Sequence, residues 1–172
     1  HRQLNREGTN MTALLTAPGQ VIYNLDCSEF FVGTFGPIVP ETIDAFVDGH
    51  AALGITDLSI NVNAKRTNYR SAVWEAYWDG YDPNAGDEQP FFAGLDPQRR
   101  FETQFFKNML ALHQQGCDYP QRMLDAARAN QLKTWISLRM NDDHNPDLPD
   151  HPSHSTLWRS HPEWRLRYGL DY

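Results

Sequence analysis

Apolar residues recur along the chain in two rhythms. Short runs with alternating side-chain character, "QVIYNLD" at Gln20 to Asp26, "ITDLSINVNA" at Ile55 to Ala64 and "TWISLRMN" at Thr134 to Asn141, predict β-strands. Between them, apolar positions fall at helical spacing. Ile43, Phe46, Val47 and Leu53 predict a helix from Glu41 to Leu53, with Glu41 and Asp44 in its first turn and Gly54 as its cap. Further helices are predicted from Gln98 to Gln115, closed by Gly116, and from Pro120, whose fixed φ suits a first turn, to about Asn130. Strands alternating with amphipathic helices predict parallel βα units and an α/β fold class.

Each strand divides into an apolar and a polar face. Ile136, Leu138 and Met140 oppose Trp135, Ser137, Arg139 and Asn141; Leu58, Ile60 and Val62 oppose Ser59, Asn61 and Asn63; Asn24 and Asp26 share the face of Ile22. The apolar faces suit helix packing. A doubly wound sheet covers both faces with helices and is expected to be apolar on both. A closed barrel instead turns one strand face inward, with polar residues at the carboxyl ends lining the mouth. The alternation therefore predicts the N-terminal portion of a (β/α)8 TIM-type barrel, with Asn24, Asp26, Asn61, Asn63, Arg139 and Asn141 converging at its mouth and Asp26 pairing with Arg139. A complete barrel takes roughly 250 residues. Residues 1–19 are then an N-terminal extension, and residues 20–172 the first part of the barrel domain, about three βα units of a longer polypeptide.

Composition narrows the partners. With 40% hydrophobic and 12% aromatic residues the chain has material for one core. A formal charge of -7, from 15 basic and 22 acidic residues, disfavours a nucleic-acid or anionic-membrane surface and favours a neutral or cationic ligand. No apolar run approaches the ~20 residues of a membrane span. A chain that begins at His1 fits the removal of a leader, as in secreted or periplasmic proteins. Cys27 and Cys117 make neither a metal-ligand spacing nor a disulfide framework and read as buried thiols.

The runs "YNLDCSEFF", "SINVNAKRTNYRS", "ISLRMNDDHN" and "LWRSHPEWRL" resemble the N-terminal part of uncharacterised glycoside-hydrolase-like (β/α)8 barrel proteins, over about Val21 to Leu170. The resemblance implies hydrolysis of a poly- or oligosaccharide by two carboxylates. In the best-known clan of such barrels these follow the fourth and seventh strands, which are expected beyond residue 172, so no residue here is assigned as acid/base or nucleophile. It implies that Asn24, Asp26, Asn61, Arg139, Asn141, Asp142 and His144 position the sugar through hydrogen bonds to its hydroxyls.

Two loops add candidates. The segment "YRSAVWEAYWDGY" holds Trp74 and Trp78, whose rings either stack on a sugar or build a satellite core. After the third strand lie His144, His151, His154 and His161, four of the seven histidines, among several aspartates. Two prolines in "DLPDHPSH" and the lack of a zinc-enzyme motif argue against a metal centre, so no metal or cofactor is assigned. His161 is expected to brace its loop. Two alternatives stand beside the hydrolase: a noncatalytic glycan-binding barrel, and a metal-dependent barrel hydrolase or sugar isomerase using Asp142, His144 and the later histidines.

Overall fold

The computed structural model describes residues 19–34, 36–96, 102–140 and 142–165. Three parallel strands, β1 (Ile22–Leu25), β2 (Asp57–Asn61) and β3 (Lys133–Ser137), form one sheet in the order β1-β2-β3. Asn24 pairs with Ser59, Ser59 with Trp135, and Asn61 with Ser137. Register partners share a face, so the polar positions read from each strand do line up across the sheet.

Among the described residues five helices accompany the strands: α1 (Glu29–Gly33), α2 (Pro40–Ala52), α3 (Glu102–Gln114), α4 (Tyr119–Ala129) and α5 (Thr156–Ser160). Local chemistry sets their ends. The Thr42 hydroxyl accepts the Val39 N–H ahead of Pro40, Asp118 caps α4 by accepting the Gln121 N–H at 3.1 Å, and Ser155 caps α5 by accepting the Trp158 N–H at 3.1 Å. Gly54 and Gly116, with φ of 89° and 73°, take the left-handed turns that follow α2 and α3. The segment predicted as a helix from Gln98 begins at Glu102 among the described residues; positions 97–101 lie outside them.

The core joins Leu25, Leu58 and Ile60 from the sheet to Phe30 and Phe31 of α1, Ile43 and Val47 of α2, Phe106, Met109 and Leu112 of α3, and Met123 of α4. Several of its aromatic rings meet edge to face, with Phe30 on Phe31 at 5.2 Å and Phe105 on Phe106 at 4.8 Å, while Phe30 stacks on Tyr119 at 5.5 Å. The irregular stretch after β2 is held by Arg66, only 4% exposed. Its guanidinium donates to the carbonyls of His154, Ala76 and Asp79 at 3.1, 3.3 and 2.8 Å. A buried charge is tolerated when its donors are met in this way, and here it clasps the aromatic loop to the histidine loop.

The expectation of a (β/α)8 barrel is corrected. The chain forms a three-stranded parallel sheet with five helices, open at β1 and β3 among the described residues, and does not close. The reason lies in the alternation itself, because a sheet packed on one side gives the same apolar-in, polar-out pattern as a barrel stave. A second correction concerns β3. Ile136, Leu138 and Met140, read as helix-packing, are 54%, 62% and 88% exposed, since α4 packs chiefly on α2 and covers little of this strand. Arg139 also lies beyond the strand, which ends at Ser137.

Candidate functional site

The carboxyl ends of parallel strands are where α/β folds collect ligands, because chain direction brings the following loops together on one side of the sheet. Here those loops enclose a cleft of about 240 Å³ lined by Asp26 and Cys27 after β1, Lys65 after β2, Arg139, Asp142, His144 and Asn145 after β3, and Glu102, Phe105 and Phe106 of α3. His151 and Ser153 close one wall.

Arg139 organises the charges. It donates to Asp142 Oδ2 at 2.9 Å and, through its other terminal nitrogen, to Asp26 Oδ2. One guanidinium thus joins the loop after β1 to the loop after β3, the pairing anticipated from sequence. Burial is the strongest single influence on Asp26 and acts to raise its pKa, but the hydrogen bonds from Arg139 and the Ser28 N–H, with the Arg139 charge, together outweigh it and hold the carboxyl below its usual range. Asp142 is lowered likewise: burial opposes the shift, and hydrogen bonds from Arg139 and His144 prevail. Both groups are therefore ionised acceptors at neutral pH. Lys65, 6% exposed, donates to the His144 carbonyl and stands 3.9 Å from Asp142; burial lowers its pKa.

Two asparagines of the polar face, Asn61 and Asn63, are structural fasteners. Asn63 Oδ1 accepts the Arg139 N–H at 3.0 Å, and Asn63 Nδ2 donates to the Arg139 carbonyl at 3.0 Å, so one side chain continues the β2–β3 ladder past its last pair and fixes the Arg139 backbone. Asn61 Nδ2 donates to the Ser137 carbonyl and hydroxyl at 3.1 and 3.3 Å, and the residue is 6% exposed. Asn24 is exposed on β1 outside the cleft lining. Asn141 lies outside the described residues.

The aromatic pair separates. Trp74 is 38% exposed and donates its indole N–H to the Lys65 carbonyl at 3.1 Å. Trp78 is 5% exposed, stacks on His113 at 4.9 Å and lines a different cavity of about 220 Å³. The structure thus brings together Asp26, Arg139, Asp142 and His144, and sets Trp78 and Asn24 apart from them.

Sequence reading missed Lys65, Glu102, Asn145 and Ser153 as cleft residues and weighed His151 only as a metal ligand. For Lys65 a signal existed, since it continues the alternation of Asn61 and Asn63. Glu102 and Ser153 are remote in sequence and had none. Among the described residues no group of three or more His, Cys, Asp or Glu side chains is placed to hold a metal ion. Cys27 is a poor nucleophile: burial drives its thiol pKa upward.

Behind the cleft, His154 is fully buried, stacks on Trp158 at 3.5 Å and donates Nε2–H to the Asn145 carbonyl at 2.9 Å. Burial, aided by the Lys65 cation, pushes its pKa down to about 4. The folded state therefore binds this proton more weakly than the unfolded chain, whose histidines titrate near 6.5. Stability contributed by neutral His154 is complete above about pH 6.5 and falls as pH drops toward 4. Urea titrations across that window should show a loss of up to about 1.4 kcal/mol per pH unit. Replacing His154 with Phe should flatten the slope.

Compared with known proteins, the sequence matches no family model and no curated protein.

Proposed function

We propose that the cleft binds carbohydrate and that the protein is a glycoside hydrolase in which this chain supplies substrate-positioning residues. The observation that carries the reading is the Asp26–Arg139–Asp142 bridge at the strand ends with His144 beside it. Ionised carboxylates accept hydrogen bonds from hydroxyls, while the remaining guanidinium and ammonium hydrogens donate to ring and hydroxyl oxygens. Closely balanced charges within a negatively charged molecule suit a neutral polyol better than a polyanion. Trp74, half-exposed at the back of Lys65, offers an apolar ring edge nearby.

Both carboxylates are held ionised, which fits orientation of the sugar and not donation of a proton to a leaving oxygen. That same observation favours a second reading, a glycan-binding protein without catalysis. Calorimetric titration with neutral oligosaccharides, combined with assay of reducing ends, separates the two. Binding with release of reducing ends supports the hydrolase; binding alone supports the second reading; no binding to any neutral oligosaccharide overturns both. His144→Ala should weaken binding roughly 5- to 10-fold, the worth of one hydrogen bond of about 1 kcal/mol. Because that side chain is 68% exposed, the melting temperature should hardly move.

A further inference from the structure

Asp142 and His144 meet at the cleft in a defined hydrogen-bond arrangement. His144 Nδ1 lies 2.9 and 3.1 Å from the two Asp142 carboxylate oxygens, and the His144 backbone N–H donates to Asp142 Oδ1 at 3.1 Å. Arg139 donates to Oδ2 of the same carboxylate. An ionised carboxylate can only accept, so the imidazole must be the donor. The ring proton then sits on Nδ1, and Nε2 keeps its lone pair.

Burial sharpens the division of labour. The Asp142 side chain is 3% exposed and the His144 side chain 68%. A buried, fixed carboxylate thus anchors a ring that is mostly exposed and lines the cleft, and Lys65 holds the His144 carbonyl from behind. We infer that Asp142 and His144 form a proton-accepting dyad, in which His144 Nε2 receives the hydrogen bond, and in a reaction the proton, of a hydroxyl or water bound in the cleft. The O–H bond breaks with its electron pair left on the oxygen, which becomes the nucleophile toward the bound substrate; the proton forms the Nε2–H bond, and the resulting imidazolium is paired with Asp142 through Nδ1–H. Asp142 and Asp26 favour that cation, while Arg139 and Lys65 oppose it.

Asp142 is the positioning residue here and His144 the group that touches the bound oxygen. The dyad deepens the proposed sugar site but asks only for an O–H donor, so it does not require the ligand to be a sugar.

Two-bond ¹H–¹⁵N spectra of the full chain, recorded at alkaline pH, read the tautomer directly. His144 should be chiefly the Nδ1–H form, and Asp142→Asn should lose that preference. Mapping of diethyl pyrocarbonate adducts by mass spectrometry supplies a readout on the unmutated protein: His144 should be modified several-fold faster than buried His151 and His154. A predominant Nε2–H tautomer, or modification of His144 no faster than of His154, would overturn the dyad. Neither result bears on oligosaccharide binding, and failure to bind sugars leaves the tautomer standing, so the two proposals fail separately.

Discussion

Phe106→Ala is expected to destabilise the protein by about 3–5 kcal/mol, the usual range for deleting a buried phenyl ring. Phe106 is 1% exposed and touches four other rings: Phe105 at 4.8 Å, Phe91 at 5.3 Å, Phe92 at 5.8 Å and Tyr77 at 6.1 Å. The neighbours come from three separate segments and cannot all collapse into the void, so both the transfer loss and the cavity cost should be paid in full. Urea denaturation should show a lower midpoint with an unchanged slope, marking lost stability without a change in the surface exposed on unfolding. A loss below about 1 kcal/mol would mean the ring lies at a surface that can relax. Because Phe106 also lines the cleft, the variant should weaken ligand binding even where it remains folded.

Legibility of this chain followed the distance over which each interaction acts. Helix ends were readable because they are local: the first turn at Pro120 and the turns at Gly54 and Gly116 are decided by residues within one turn, and the helix expected from Glu41 begins one residue earlier, at Pro40. Strand faces were readable because period-two alternation survives in any half-buried sheet, and the Asp26–Arg139 pair followed from asking where a charge on such a face would find its counterion. Closure of the sheet was not readable. One-sided packing and a barrel wall impose the same alternation, so the pattern could not choose between them, and the exposure of Ile136 and Leu138 depends on where α4 settles. In the cleft, the residues contributed by the strand ends were visible, while Glu102 arrives on α3 and His151 and Ser153 on the loop before α5, placed by tertiary packing that no spacing encodes. Trp78 was ambiguous for a related reason, since an aromatic in a loop has the same sequence signature whether it stacks on His113 or faces a ligand.

Arg139→Met should cost about 2–4 kcal/mol at neutral pH. The methionine fills much of the same space but leaves Asp142, 3% exposed, with the more distant Lys65 as its remaining cation. The pH dependence gives the assignment its sharpest check. In the wild-type fold both Asp26 and Asp142 have lowered pKa values, so their contribution is present above the unfolded carboxylate value of about 3.9 and disappears as pH falls through the folded values. The gap between wild type and variant should therefore be full from pH 5 to 7 and narrow below about pH 4, as protonation relieves the stranded carboxylate. His154 titrates in both proteins and cancels in the difference. Arg139→Lys should recover only part of the loss, because a single ammonium cannot hold two carboxylates with the planar fork that joins them. A gap under about 0.5 kcal/mol at pH 7 would reduce the bridge to an ordinary surface pair. The size of the gap also measures how firmly the cleft is organised, because the guanidinium that stabilises the fold is the one that fixes Asp26 and, through Asp142, sets His144 beside whatever binds between the strand ends.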